Sequence, residues 1–523
     1  MSSGIKTIYV LLLAFLFLNS FGQSIRMEIE SKSAIDQYNI VPIGEKGIII
    51  FYETMQSESA RNEKWIFSKY DTSFNEIWTT EYPLLNNLSY SKYYVDTLFM
   101  YALFVYGRQF EIVKLNIETS AIEVIKGSSA QGEMQVQALI AQDGNLYFGG
   151  NLAPSESKVF ARSTLGFIFF PLMFIPNFMP EREAFLTHVN LETKVSRGID
   201  FGLKGFSSVA SIAKDTFNNK IYVLLKNANG RNSTIHFQDF KTNGQRSKAS
   251  IIKPFTKQYQ LLDGKLSVIN TSESVLLGTY SKNGNSGSQG FYFSKIVNGK
   301  QDFIQYHSFT TFKNFFEYLN VEEKERIQKR IQRKKARGKD LDLDYRLLIH
   351  DLISDSIQYT MVAEAYQPRF HTEFRTVWMY GRPMEQPYEV FDGYQYSHAI
   401  IAAFDTNGRL KWDNWFSINN IMSYNLNEKV KAIKNGDSIL LGFHYKGIIK
   451  YKNIYENQIS DHVINPENDK PESNILNYYN NLDFWYKNYM IAYGIERASD
   501  DEYFSKRNTV FYLNKIQKNV EPK

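Results

Sequence analysis

AFDTNGRLKW, residues 403–412, reads as an apolar run, a polar turn on Asn407 and Gly408, and a return run carrying Leu410 and Trp412. That is the sequence form of a tight β-hairpin. The unit recurs along the chain at Lys69–Trp78 (KYDTSFNEIW), Lys114–Val124 (KLNIETSAIEV), His188–Ser196 (HVNLETKVS), Gln238–Arg246 (QDFKTNGQR) and Ser294–Gln301 (SKIVNGKQ). With Asp71, Asn116, Asn190, Asp239, Val297 and Asp405 as markers, successive copies lie roughly 45, 74, 49, 58 and 108 residues apart. A four-stranded propeller blade takes about 40 to 50 residues, so the longer gaps predict a blade plus an insertion.

Composition agrees with that reading. The 523 residues include 39 Phe, 35 Tyr and 6 Trp, with 30 Gly and only 13 Pro, arranged as short apolar runs between turn signals. Such residues fit a pleated, half-buried surface, and helical periodicity is rare. The fold class expected is all-β: a single β-propeller over residues 23–523. Blade-like segments begin near Gln37, Ser89, Met134, Val209, Tyr259, Arg346, Lys429 and Leu482. The last offers only three strand-like runs, and Ile25–Glu30 (IRMEIE) is a spare strand able to complete it. Pairing the two would close the ring and remove an exposed edge. The count is eight blades, with seven as the alternative if the last two share strands.

Residues 1–22 have the form of a secretory signal peptide: Lys6, an apolar run from Ile8 to Leu18, and small Ser20 and Gly22 before Gln23. The run is too short to span a bilayer about 30 Å thick as a helix. Export is therefore expected, to the periplasm or in association with an outer membrane, with an extracellular destination as the alternative. The absence of Cys excludes disulfide support and a lipidated cysteine.

Insertions are expected at about 152–182, 311–340 and 367–396. The first holds LGFIFFPLMFIPNFM (Leu165–Met179), whose Phe167, Ile168, Phe169, Phe170, Leu172, Met173, Phe174, Ile175 and Phe178 suit an apolar hairpin docking on a membrane or envelope protein. A flap folded onto its own propeller is the alternative. The second, Phe312–Lys339, predicts a helix with Phe312, Phe316, Leu319, Ile327 and Ile331 on one face and Gly338 as its stop. Lys324–Lys339 carries nine Lys and Arg against one Glu, a charge of +8, whereas the whole chain carries +5. Lys329, Arg330, Arg333, Lys334, Lys335 and Arg337 are the expected contacts for anionic lipid or an acidic partner; a solvated face is the alternative, and export argues against nucleic acid.

Catalytic signals are lacking. The eight His include no HExxH pair, and His188, His236, His350 and His444 sit in strand-like runs that suit structural roles. Asp340, Asp342 and Asp344 alternate with Leu341, Leu343 and Tyr345, a strand with one wet face rather than a calcium loop, whose sixth position needs Gly. No phosphate-binding glycine loop, dinucleotide fingerprint or nucleophile elbow occurs, so no cofactor, metal or catalytic residue is expected. Glu364 and Asp392, near Tyr366, Phe370, His371, Trp378, Tyr380, Tyr388 and Tyr394, supply the one alternative, a carbohydrate-binding or glycan-cleaving site.

The leader ending in NSFGQ, the Tyr/Phe/Asn/Lys-rich composition and the diverged D-x-N-G hairpins resemble exported β-propeller proteins of Bacteroidota-type bacteria. The resemblance covers most of the chain and rests on style rather than a diagnostic motif. It implies an envelope accessory propeller, similar in kind to the plug component of the type IX secretion translocon. The expected function is a non-enzymatic interaction scaffold or accessory subunit of an outer-membrane or secretion complex.

Overall fold

The computed structural model describes residues 25–31, 38–54, 64–84, 88–128, 132–153, 183–203, 205–229, 232–282, 284, 287–355, 357–379, 382–455, 458–464, 475–498 and 509–518. Its strands form eight antiparallel sheets, seven with four strands and one with five, and each is built from consecutive chain except the last. Blades 1 to 7 span residues 38–83, 89–128, 133–200, 206–252, 259–308, 346–423 and 431–464. Blade 8 takes three strands from 475–517 and its fourth from Ile25–Ser31, which pairs antiparallel with Thr509–Gln517 in the register Ile25↔Lys515 to Ser31↔Thr509. The spare strand closes the ring as the sequence predicts, and the blade number is eight.

The repeated hairpin is the connection between third and fourth strands in blades 1 to 6. In blades 1, 2, 3 and 6 its Asp or Asn caps the turn. Asp71 Oδ1 accepts from Ser73 N and Asn75 N at 2.7 and 2.9 Å, Asn116 Oδ1 accepts from Glu118 N and Thr119 N at 2.9 Å each, and Asp405 Oδ1 accepts from Asn407 N and Arg409 N at 2.9 and 2.8 Å. Gly408 sits at φ +80°, and a Cβ there would come within 2.6 Å of the Phe293 ring of blade 5. The turn is thus a neighbour contact as well as a reversal, and His307 Nε2 lies 2.8 Å from Gly408 O across the same seam.

Central strands carry near-continuous apolar runs because neighbouring blades cover both faces, as in Ile48–Phe51 and Met100–Phe104. Outer strands alternate, as in Glu76–Pro83. Eight apolar clusters fill the seams between successive blades. The eighth joins Ile40, Ile48 and Ile50 of blade 1 to Trp485, Ile491 and Phe511 of blade 8. Tyr38 stacks on Phe511 at 4.1 Å, Trp485 Nε1 donates to Gly47 O at 2.9 Å, and Lys515 Nζ donates to Thr72 O at 2.8 Å.

The expected helix from Phe312 to Lys339 is shorter. It runs Val321–Lys335, because Asn320 and Glu323 form a capping box that fixes its start. Phe312–Leu319 forms turns instead. Asp413 holds them by accepting from Lys313 N and Asn314 N at 2.8 and 2.6 Å. Asp340, Asp342 and Asp344 are exposed while Leu341 and Leu343 are buried, but the segment is extended without a ladder until Arg346.

Candidate interaction face

Antiparallel order gives the ring two unlike rims. First-to-second and third-to-fourth connections emerge on one rim; second-to-third connections and the links between blades emerge on the other. The first rim carries mostly tight turns, together with Ile25 and Gln517, where the two strands that close the ring begin and end there. On the second rim lie Ala153 and Glu183, which flank residues 154–182, and from it project the basic insertion and the long hairpin of blade 6. The expected hairpin residues Phe167 to Phe178 and the leader 1–22 lie outside the described residues.

The basic insertion is wedged in the seam between blades 5 and 6. Phe309, Phe312, Phe315 and Phe316 are buried, with Phe309 against Phe291 at 5.0 Å and stacked on Phe315 at 4.5 Å. Tyr318 stacks on His398 at 3.6 Å, and its hydroxyl meets that of Tyr345 at 2.6 Å. Burial drives the His398 pKa down to about 3, so a neutral imidazole faces the ring. From this anchor the helix turns Ile331 and Ile327 inward. Its acidic first turns are self-contained: Glu322 pairs with Arg326 at 3.6 Å and Glu325 with Lys329 at 3.3 Å. Among the described residues Arg330, Arg333, Lys334, Lys335 and Arg337 have no carboxylate within salt-bridge distance, and all but the half-buried Lys334 are exposed.

Residues 367–396 form no separate loop. Strands Tyr359–Met379 and Arg382–Phe404 simply continue beyond the blade as a two-stranded arm, paired from Tyr359↔Phe404 to Met379↔Arg382. The fourth strand, Leu410–Ser423, accompanies the arm only as far as Tyr394. Beyond that point both edges and both faces are open, with Phe370 53%, Phe374 65% and Met384 54% exposed. Phe370 and Phe391 are cross-strand partners with rings 5.4 Å apart, and Phe391 meets Tyr394 at 5.0 Å. On the other face His371 lies between Glu373, at 3.1 Å, and Asp392; hydrogen bonds to both carboxylates raise its pKa. Arm and insertion share a root, since His398 lies two residues from Tyr396 at the arm's base.

The carbohydrate-site residues do not converge. Glu364 is fully buried and accepts from Lys429 N, Val430 N and His350 Nε2 at 2.9, 2.9 and 2.8 Å, tying blade 6 to the start of blade 7. Asp392 stands on the arm beside His371. The other histidines named above are also held by neighbours: His188 Nε2 is 2.8 Å from Asn145 Oδ1, and His444 Nδ1 is 3.2 Å from Asn481 O. Among the described residues there is no cluster of metal ligands, and no helix is long and apolar enough to cross a membrane.

Two polar features lie elsewhere. Lysines and carboxylates line the inner strands, with Lys265 to Asp351 at 2.7 Å and Lys431 to Asp483 at 3.0 Å. Burial lowers the Lys431 pKa, but Asp483 outweighs it and the pKa rises to about 12. On the turn-bearing rim a groove of about 800 Å³ runs across blades 2 to 4, lined by Asp96, Phe99, Glu123, Asp143, Glu192 and Lys214 among others.

No protein-family model matches the chain, and no curated protein matches it in sequence. Among solved structures it is similar to a polysaccharide lyase, an ulvan lyase bound to -[GlcA(1-4)Rha3S]-, at 8% identity and TM-score 0.38, covering 77% of this chain and 88% of that one. It is also similar to an apocarotenoid oxygenase of Synechocystis at 5% identity and TM-score 0.31, covering 53% of this chain and 66% of that one.

Proposed function

We propose that the chain is a non-enzymatic propeller of the cell envelope, a scaffold or accessory subunit of an outer-membrane or secretion complex, docking through the rim that carries its insertions. One observation carries this reading: the exposed arm of blade 6 and the basic helix rise from a common root on one rim, while the opposite rim is mostly trimmed to tight turns. A two-stranded ribbon is marginal in water by itself, so an arm this long, with its large apolar side chains exposed, fits a surface that is covered in use. The leader-like residues 1–22 and the resemblance to envelope accessory propellers support the location and the link to type IX secretion.

The test is a gentle detergent pull-down of the tagged protein from envelope fractions, beside a version with the arm excised between Tyr366 and Tyr396 and one lacking residues 165–179. Recovery of an outer-membrane protein with the intact chain, lost on arm excision, is the expected result. All three proteins returning alone and soluble would overturn the reading. The glycan alternative then moves to the groove on the other rim, whose carboxylates and Phe99 suit a sugar ring, and glycan-array binding abolished by Glu123→Ala would favour it.

A further inference from the structure

The arm and the basic helix offer different kinds of surface, the first a face bearing exposed Phe370 and Phe374 and the second a cluster of cations. We propose that together they form a single docking surface for an anionic lipid bilayer. This rests on the docking-face reading above and names what that face meets.

The positive charge is local. Lys324–Lys339 carries +8 of a chain whose total is +5, leaving the remainder at −3. It is also unspent: Glu322 and Glu325 pair with Arg326 and Lys329, Glu323 caps the helix start, and Arg330, Arg333, Lys335 and Arg337 toward its other end stand exposed with no carboxylate partner among the described residues. Cations spread around a helix end, rather than aimed into one cleft, match a laterally uniform field of phosphates better than a carboxylate at a fixed point. The arm supplies the second requirement. Phe370 and Phe374 share one face of the ribbon and are each more than half exposed, so they are free to enter the headgroup region. The short connection matters too. Tyr318 of the insertion stacks at 3.6 Å on His398 at the root of the arm, so helix and arm are anchored to each other at their base.

The experiment is co-sedimentation of the full mature chain with vesicles of phosphatidylcholine alone and of phosphatidylcholine with about one third phosphatidylglycerol, at low and high salt. The expected result is binding to the anionic vesicles only, weakened by salt. Arg330→Glu with Arg333→Glu, and separately Phe370→Ser with Phe374→Ser, should each weaken it by about tenfold or more with melting temperature unchanged, since all four side chains are exposed. Equal binding to neutral and anionic vesicles, or binding that both double variants leave intact, would overturn the proposal. So would salt-sensitive binding to polyglutamate without binding to vesicles, which would assign the helix to an acidic protein. Crosslinks from position 374 to an envelope protein in the absence of vesicle binding would remove the lipid proposal and leave the docking face standing.

Discussion

Two buried side chains show what single residues do here, and their titrations have opposite signs. His398 is held neutral, its pKa lowered by burial from 6.5 to about 3, so between those values the unfolded chain binds a proton that the folded chain does not. Stability is lost as pH falls through that window, by about 1.4 kcal/mol per pH unit at most. Phe at this position keeps the stack on Tyr318 and removes the titration. His398→Phe is therefore expected to flatten the fall in denaturation midpoint between pH 6.5 and 4.5 relative to the parent chain. His350 works the other way: burial lowers its pKa, but the hydrogen bond it donates to Glu364 and the nearby carboxylates win and raise it above 6.5. Its contribution is present below pH 6.5 and is lost as pH rises through the folded value. Glu364→Ala strands a buried imidazole and two backbone N–H groups, and should cost about 3 to 5 kcal/mol in urea or guanidinium denaturation. A structural role for His350 was legible in the sequence but neither set of partners was, because Tyr318 lies far from His398 along the chain and two of Glu364's partners are backbone N–H groups, which leave no side-chain pattern.

Among the elements, the repeated hairpin was legible because its Asp or Asn has a local job, capping a turn that lies within five residues. The basic helix was legible in existence and charge but not in extent. Spacing of Phe312, Phe316 and Leu319 extends the helical pattern backwards, whereas the Asn320 to Glu323 capping box was the signal that fixes the true start. What bends the aromatic segment away from helix is Asp413, a residue about a hundred positions later. Asp413→Ala should loosen the insertion on blade 6 at a cost of about 2 to 3 kcal/mol, and hydrogen exchange would rise first across residues 312–340. The arm was expected as an insertion, yet its form as two continuous strands was hidden, since Pro368, Pro383, Pro387 and Gly393 read as breaks.

At the scale of the whole molecule, the all-β propeller and its closure by a spare first strand followed from counting runs, because a ring leaves no strand without a place. Closure is physical: Arg26 reaches Glu496 at 2.7 Å and lies over the Tyr512 ring at 4.6 Å. Removing residues 25–31 exposes the edge of Thr509–Gln517 and should give a less stable, aggregation-prone ring, and added IRMEIES peptide should raise the melting temperature again. The central claim, that one rim faces a partner, is tested most directly by placing a photo-crosslinking amino acid at Phe374 or Arg330 on the insertion-bearing rim, and at Leu98 or Phe217 on the turn-bearing rim. All four positions are exposed. Irradiated in the native envelope, the first pair is expected to give crosslinked products and the second pair none; products from Leu98 and Phe217 alone would contradict the account.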